Sequence, residues 1–506
     1  MNKRIISTER PYKVLHIGNI ANNAYLNAKL LLRHGVESDV ICADYYHIMG
    51  TPEWEDAVFN FEGIDHFNPD WANLDLQGFQ RPNWFHSGAL GQILAELAGD
   101  AAAPEQKMGR LSRIIGTAHS HAFGGTLELL LNDAWTKLFG YKQKSLVNLL
   151  TRVSVPILHV MCRLHFYAES AFKKNGGDRF AKIRVTLDQI NRRTKCDLRR
   201  SEAVPYFFHQ ALWERVFKKY DAVIGYSIDG IYPLICNKKY IAFEHGTIRK
   251  IPFVDDALGR ICKAVYKSAD KVIITNCDNV KAAKKLQLKD YRFIPHPINE
   301  EVQKVQLPPS CTERLNEQEF IVFHPARHHW DRHRDPSWEK GNDKIIAGFA
   351  RFKKATSVKT VLVLTEWGLT IEHSRRLIKK LGIEDAVVWI PVLPNQHMIE
   401  MISLSHVVVD QIGVGAFGSL AAKSLMCGKA TLCHIDPEPH RACFDVIPPL
   451  ISVESHVDVA ARLQQLASDI SYRNGVENES REWYLQHHSN RLIAERLVGL
   501  IKEIAA

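Results

Sequence analysis

A chain of 506 residues is too long for a single hydrophobic core, and we expect two or three domains. Its 46% of hydrophobic and 24% of charged residues are typical of an ordinary globular protein. The formal net charge of +9 comes from dispersed basic residues without a nucleic-acid-binding motif, so we expect no nucleic-acid partner. Acidic small ligands and an anionic membrane surface are the partners that such a charge favours.

The cysteines and the apolar segments bear on location. Ten cysteines are scattered singly between Cys42 and Cys443 without a CxxC pair, which favours reduced cytoplasmic thiols over a disulfide framework or a zinc site. The polar residues 1–11 do not resemble a secretory signal, and no uncharged apolar run reaches the roughly 18 residues of a spanning helix. The apolar-rich segment 145–164 has basic flanks and could lie in a membrane interface, or it could form a core helix interrupted near Pro156. We therefore expect a cytoplasmic protein, with peripheral contact to the cytoplasmic face of a membrane as an open alternative.

The first part of the chain begins with a βαβ pattern. Residues 13–17 predict a buried strand, Gly18 and Asn19 a tight turn, residues 22–33 a helix capped by Asn22, and residues 39–42 a second strand. This order is typical of a parallel sheet, although the GxGxxG motif of dinucleotide-binding folds is absent. Residues 88–220 predict a long helical insertion, after which strand patterns return at residues 222–225, 240–243 and 271–275.

A second alternating series follows the polar and irregular residues 303–317, which predict an interdomain linker. Strands are expected at residues 320–323, 360–364, 386–390, 407–412, 430–434 and 451–453, and helices at residues 343–353, 371–380, 397–404 and 419–426. The two series predict an α/β protein with two Rossmann-like domains that face one another across a cleft. We assign residues 1–302 to an N-terminal domain, residues 318–480 to a C-terminal domain, and residues 481–506 to a helix that packs back toward the N-terminal domain.

The most informative segment is the glycine loop that follows the strand expected at residues 407–412. Gly413, Gly415 and Gly418 lead into a helix that opens at Ser419. Glycines let backbone N–H groups approach a ligand closely, and a helix start presents unpaired N–H donors with a partial positive charge. The segment therefore predicts an anion site, most plausibly for phosphate, at the carboxyl end of a strand.

Several short motifs in this order resemble a GT-B glycosyltransferase, nearest the retaining enzymes of glycosyltransferase family 4. They are Phe-Glu-His-Gly-Thr at 243–247, Ile-Pro-His-Pro-Ile-Asn at 294–299, Lys-Gly-Asn-Asp at 340–343, Asp-Gln at 410–411, Phe-Gly at 417–418 and Cys-Gly-Lys at 427–429. The resemblance covers residues 12–42, about 221–299, and 320 to the C-terminus, and it leaves the helical insertion unmatched. It implies an acceptor-side N-terminal domain and a nucleotide-sugar-binding C-terminal domain.

The resemblance also implies an activity: transfer of a sugar from a nucleotide-diphosphate sugar to a glycan or lipid-linked acceptor, such as in surface polysaccharide biosynthesis. No cofactor and no obligatory metal are expected, because protein cations meet the charge of the leaving group. Arg327 and Lys340 match the Arg/Lys pair that such enzymes place on the diphosphate, with Arg332 and Arg334 as competitors for the arginine role.

Further positions carry over from the same resemblance. His245 matches a histidine near the donor sugar, with a structural histidine as the alternative. Gly18 and Asn19 match a loop on the opposite wall of the cleft, with an ordinary strand-to-helix turn as the alternative. Val392 follows a strand where the family contacts the nucleobase through its backbone. The remaining expected contacts to the nucleotide lie on the glycine loop and its helix, at Asp410, Gly415, Ala416, Phe417, Gly418, Ser419 and Lys423.

The histidine cluster of His324, His328, His329 and His333 invites a metal assignment. Its spacing fits no usual zinc pattern, and no carboxylate triad accompanies it. We therefore expect no metal site.

The sequence departs from the family pattern at two positions. Family 4 enzymes usually carry two glutamates separated by seven residues, and the aligned positions here are Gly415 and Lys423. A lysine offers only donors, whereas the second glutamate normally accepts hydrogen bonds from the ribose hydroxyls. Either Lys423 contacts the diphosphate, or another acceptor such as Asp410 holds the ribose, or the donor site has decayed.

These explanations leave three functions open. A glycosyltransferase is the first hypothesis, and a catalytically inactive GT-B homologue that acts as a partner or regulatory protein is the alternative. A sugar epimerase on the same scaffold ranks last.

Overall fold

The computed structural model describes residues 10–43, 47–67, 69–100, 176–330, 339–413 and 415–506. The segment 145–164, the competing arginines Arg332 and Arg334, and His333 lie outside the described residues, as do residues 101–175 of the expected insertion. The strands that are described form two sheets, one of seven strands and one of five. None of the described helices has the length and apolar composition needed to cross a bilayer.

The seven-stranded sheet lies in the N-terminal domain. Its strands are β1 (Lys13–Ile17), β2 (Glu37–Cys42), β3 (Phe85–Ser87), β4 (Ala222–Tyr226), β5 (Ile241–Phe243), β6 (Lys271–Ile274) and β7 (Tyr291–Phe293). Their order is β3-β2-β1-β4-β5-β6-β7, and every neighbouring pair is parallel. Ile17 at the end of β1 pairs with Ile41 on one side and Gly225 on the other.

Helices cover both faces of this sheet, as a parallel sheet requires. The helices in this part of the chain are α1 (Asn23–Arg33), α2 (Pro52–Asp56), α3 (Leu90–Ala98), α4 (Gly176–Thr194), α5 (Arg200–Ala203), α6 (Gln210–Phe217), α7 (Ile231–Ile235), α8 (Ala257–Ser268) and α9 (Asn279–Lys285). On one face Trp213 of α6 and Val265 of α8 pack with Leu15 of β1. On the other face Ala28 of α1 packs with Val14. The described part of the helical region thus belongs to the first core.

The five-stranded sheet forms the C-terminal domain. Its strands are β8 (Phe320–His324), β9 (Thr360–Thr365), β10 (Val387–Ile390), β11 (Val407–Val409) and β12 (Ala430–Leu432), in the parallel order β10-β9-β8-β11-β12. The helices that follow α9 in the chain are α10 (Pro309–Thr312), α11 (Asn342–Ala355), α12 (Ile371–Leu381), α13 (Asn395–Leu404), α14 (Ser419–Met426), α15 (Pro437–Arg441), α16 (His456–Ser468), α17 (Ile470–His487) and α18 (Asn490–Ala505).

The chain returns to the N-terminal domain at its end. Helix α18 buries Ile493, Leu497 and Ile501 in the same core as Val14 and Ala28. The two segments that cross between the domains are hydrogen-bonded to each other. Asn490 donates from its backbone N–H to Glu300 Oε1 at 2.8 Å and from its side chain to the carbonyl of Ile298 at 2.7 Å.

Several local expectations are wrong. Asn22 does not cap α1, because it adopts a left-handed φ of 58° and its side chain donates instead to the carbonyl of Thr51 at 2.6 Å. The strand expected at residues 451–453 is reduced to one bridge, between Ile451 and Leu432, just after two consecutive prolines. Strands β3 and β7 were not expected; each is a three-residue edge strand, too short and too exposed to show a burial pattern.

The linker is less irregular than its composition indicates. Leu307, Cys311 and Leu315 are buried and pack against Ile321 and Val361 of the second sheet. These three residues are spaced four apart, and Cys311 lies in the short helix α10. Much of this segment is therefore fixed to the C-terminal domain.

Candidate functional site

The strand orders place two sets of loops where ligands of such sheets bind. The order reverses between β1 and β4 in the first sheet, and between β8 and β11 in the second. Loops that leave the carboxyl ends of strands on either side of such a point open a crevice. Gly18 follows β1 and Asp229 follows β4 in the first domain, whereas Arg327 follows β8 and Asp410 follows β11 in the second.

The glycine loop connects β11 to α14, and Asp410 supports its far end. The Asp410 side chain is 6% exposed, and its carboxylate accepts the N–H of Gly418 at 3.2 Å. Burial raises the pKa of Asp410, and the charge of Lys340 opposes this rise. Asp410 therefore satisfies a backbone donor at the start of α14 and has a local structural role as a cap.

Lys340 is tied to the same loop. Its Nζ donates to Gln411 Oε1 at 3.0 Å, and Gln411 in turn donates to the carbonyl of Ala416. Burial lowers the pKa of Lys340; the charge of Asp410 raises it, and the charges of Arg327 and Arg249 lower it further. A desolvated ammonium beside other cations is an arrangement that an anion would stabilise.

A glycine fixes the approach of Lys340 to the loop. Gly341 has a φ of +71°, and a Cβ there would lie 2.5 Å from the carbonyl oxygen of Ile412. The backbone N–H of Ile412 donates to the carbonyl of Lys340 at 3.1 Å. A side chain at position 341 would push these two segments apart, so the Lys-Gly pair has a local structural reason.

The described members of the histidine cluster make hydrogen bonds within the fold. His324 Nδ1 donates to the carbonyl of Val409 at 2.8 Å, and its Nε2 accepts from Asn342 Nδ2 at 2.9 Å. His328 Nδ1 lies 2.7 Å from the hydroxyl of Ser374. Among the residues that the structure describes, no group of three His, Cys, Asp or Glu side chains is placed to bind a metal ion.

The wall formed by the first domain brings Gly18, Asp229 and His245 together. Gly18 has a φ of +90°, and a Cβ there would overlap the Asp229 carboxylate. Burial lowers the pKa of the half-buried His245 to about 4, against the charge of Asp229. Sequence reasoning missed Asp229, although an acidic residue three positions after a buried strand is a signal that could have indicated it.

Arg249 is a second residue that sequence reasoning did not assign to the site. It lies four residues after His245, and its guanidinium makes two hydrogen bonds to the carboxylate of Asp278, from Nε and from Nη2, the latter at 3.1 Å. The neighbouring Glu244 is fully buried, accepts from Asn279 at 2.7 Å, and has its pKa raised by burial.

A solvent-open cleft lies between the two domains and beside the glycine loop. Its lining comes from the ends of β6 and β7 on one side and from the start of α14 on the other, and consists of Thr275, Asn276, Cys277, Phe293, Pro295, His296, Ile298, Phe417, Gly418, Ser419, Ala422 and His488. Gly418 and Ser419 at the start of α14 thus line this cleft.

Lys423 lies near an acidic residue of the other domain. Its charge opposes the rise that burial gives to the pKa of Glu55, a residue of α2 in the first domain that is 6% exposed. Lys423 therefore has a protein carboxylate near it, across the domain interface. None of the three explanations drawn from the sequence included this interaction.

The remaining candidates are placed as follows. The side chain of Asn19 is used within its own loop, because Nδ2 donates to the carbonyl of Gly50 at 2.9 Å and Oδ1 accepts from the backbone of Tyr25 at 3.0 Å. The Phe417 ring packs with His440 and His488 at centroid distances of 5.7 Å and 6.0 Å. Val392 and Ala416 are buried, Ser419 is exposed, and Gly415 adopts a φ of +75°.

Two Rossmann-like domains with parallel sheets, a cleft between them and a last helix that returns to the first domain define the GT-B fold. A sucrose-phosphate synthase from Thermosynechococcus elongatus has a similar structure, with a TM-score of 0.51 at 12% sequence identity over 97% of this chain and 99% of that one. The expected fold class is therefore confirmed. No protein-family model and no curated protein matches the sequence.

Two further solved structures are similar at a lower level. A glycosyltransferase from Rickettsia africae gives a TM-score of 0.49 at 10% identity over 98% of this chain and 99% of that one. Anabaena HepE in complex with UDP and glucose gives a TM-score of 0.46 at 14% identity over 58% of this chain and 82% of that one.

Proposed function

We propose that this protein is a glycosyltransferase that moves a sugar from a nucleotide-diphosphate sugar to a glycan or lipid-linked acceptor. The observation on which the proposal rests is the arrangement at the strand-order reversal of the second sheet. There the glycine loop, the start of α14, and the charges of Lys340 and Arg327 meet beside the interdomain cleft. Backbone donors and cations in this geometry suit a diphosphate.

The chemistry follows from where charge develops. When the bond between the sugar and the diphosphate breaks, negative charge grows on the leaving oxygen, and cations held in place by the fold stabilise it without further reorganisation. Lys340 and Arg327 supply this charge in the proposal, so an obligatory metal is not part of it. His245, on the opposite wall, is the residue that we place next to the transferred sugar. Retention of the anomeric configuration rests on the family resemblance.

The acceptor and the location are part of the same proposal. A net charge of +9 suits an acceptor carrying phosphate or an anionic membrane surface, and a surface polysaccharide pathway would supply both. We place the protein in the cytoplasm, in peripheral contact with the membrane on which a lipid-linked acceptor would reside.

Calorimetric titration of the full chain with UDP-, GDP- and ADP-sugars tests the proposal. We expect one of these donors to bind, and the corresponding nucleoside diphosphate to compete with it. A folded protein that binds none of the three donors would contradict the proposal, and a donor that is bound and epimerised without any acceptor would indicate the epimerase instead.

A second candidate is a catalytically inactive GT-B homologue that acts as a partner protein. It is favoured by Lys423, whose charge acts on the buried Glu55, and by Asp410, whose carboxylate occupies the N–H of Gly418. The substitution Lys423→Glu separates the two candidates by the sign of its effect on affinity for a nucleoside diphosphate. A decayed site should gain affinity, whereas a site in which Lys423 contacts the diphosphate should lose it.

A further inference from the structure

Arg249 belongs to the domain opposite to that of Lys340 and Arg327, and its charge acts on Lys340. It ends the short turn Thr247–Arg249 that follows β5. Gly246, at a φ of +110°, precedes this turn, and a Cβ on Gly246 would lie 3.4 Å from Arg249 Nη1. The guanidinium therefore folds back over a backbone position that a glycine leaves open.

Asp278 fixes the direction of this guanidinium. The two hydrogen bonds to the Asp278 carboxylate use Nε and one hydrogen on Nη2, which together form one edge of the planar group. Both N–H groups of Nη1 and the second one of Nη2 point along other edges. The Arg249 side chain is 30% exposed, so the protein does not enclose it completely. An arginine oriented by a carboxylate and presenting a second edge is suited to a two-point contact with phosphate.

The three cations come from two domains and lie near one another. The charge of Arg249 lowers the pKa of Lys340, as the charge of Arg327 does, although burial has the larger effect. Two carboxylates lie near these cations. Asp278 forms an ion pair with Arg249, and the charge of Asp410 raises the pKa of Lys340. Burial raises the pKa of Asp410 itself. Without a ligand, the like charges repel across a partly dehydrated space. Two adjacent phosphate groups between them would turn that repulsion into attraction.

We propose that Arg249 binds the diphosphate from the side opposite Lys340 and Arg327, so that a nucleoside diphosphate bridges the two domains. The inference rests on the proposed function, because it requires the same anion in the same cleft. It assigns a third cation to the site and gives it a distinct task. Lys340 and Arg327 belong to the domain that holds the glycine loop, whereas Arg249 joins that domain to the other one through the ligand.

Titration calorimetry with nucleoside diphosphates and with the matching monophosphates tests the inference on the full chain. We expect Arg249→Gln to weaken diphosphate binding roughly 10- to 100-fold, as for the loss of a charge-assisted hydrogen bond. The monophosphate should lose much less, so the preference for diphosphate over monophosphate should shrink. A purely structural role for Arg249 would lower both affinities together. Arg249→Lys keeps the charge without the planar fork and should lie between the two proteins.

Two comparison variants make the outcome unambiguous. Lys281→Gln removes an exposed first-domain cation that pairs with Asp436 of the second domain at 3.6 Å, and it should leave diphosphate affinity unchanged. Lys340→Met should weaken binding. If Lys340→Met weakens diphosphate binding while Arg249→Gln and Arg249→Lys both bind as the wild type does, the inference is wrong and the proposed function stands. If the wild type binds no nucleoside diphosphate, both are wrong. Should Arg249→Gln not fold, Arg249→Lys and Asp278→Asn provide the same comparison.

Discussion

Replacing Lys340 with methionine should separate ligand binding from stability. In the free protein the variant loses the hydrogen bond from Nζ to Gln411 Oε1, and a bond to a charged group contributes about 1.5–3 kcal/mol. It also loses a largely buried charge whose pKa is lowered by burial, an ammonium that the folded protein holds at a desolvation cost of several kcal/mol. Because these effects have opposite signs, we expect the free energy of unfolding to change by less than about 1 kcal/mol.

The same substitution can only weaken the binding of the ligand. The loss of a charge-assisted bond to phosphate, about 1.5–3 kcal/mol, corresponds to roughly 10- to 150-fold in Kd. Calorimetry measures the affinity, and urea denaturation measures the free energy of unfolding. Lys344→Met is the matched control, because Lys344 lies in the first turn of α11 and donates to the exposed carbonyl of Glu454 at 2.9 Å. Equal affinity of wild type and Lys340→Met for every nucleoside diphosphate that binds would refute the assignment of Lys340.

Three further predictions concern residues of the candidate site. Gly415→Ala should destabilise the protein by about 1–2 kcal/mol, because it places a Cβ at a φ of +75° and 3.3 Å from the Cβ of Asp436. Gly413→Ala, where a Cβ would meet no atom of the described residues beyond its chain neighbours within 4 Å, should change the free energy of unfolding by no more than about 0.5 kcal/mol in urea denaturation. Burial lowers the pKa of His245 to about 4, below the value of about 6.5 in an unfolded chain. The unfolded chain therefore binds more protons as the pH falls from about 6.5 to about 4, and circular dichroism should show the stability contributed by His245 being lost across that range. The lowered pKa of Lys340 acts in the alkaline direction: calorimetry should show affinity for a nucleoside diphosphate falling as the pH rises through that pKa, while the contribution of Lys340 to folding stability rises.

The sequence was sufficient for the elements whose burial is continuous. The residues 13–17, 320–323 and 360–364 were expected as strands because they are mostly apolar, as a strand in a parallel sheet covered on both faces requires. The start and end of α14 were also expected correctly, since a glycine precedes Ser419 and the Cys-Gly pair follows Met426. Strands β3 and β7 were not expected. An edge strand has a neighbouring strand on one side only, and its residues need not be apolar.

The site was predictable only in part, for a related reason. Lys340 and the glycine loop are adjacent to strand ends, so the position in the chain already indicated the position in the fold. The direction of the Arg249 side chain depends on Asp278, 29 residues away, and its charge acts on Lys340 of the other domain. The neighbourhood of Lys423 and Glu55 depends on contact between the two domains, which no local pattern records.

The two crossings of the chain between the domains limit how the cleft can change its width. Tyr484, at the second crossing, donates to the same Glu300 oxygen at 2.9 Å that accepts the backbone N–H of Asn490, so both connections are fastened at one spot. A change in the width of the cleft must therefore bend the chain at this place, and it must also shift the contacts that the domains make elsewhere, such as the pair of Lys281 and Asp436. Domain closure turns on a few residues at such connections, so loosening the contacts at Glu300 should slow turnover more than it weakens binding.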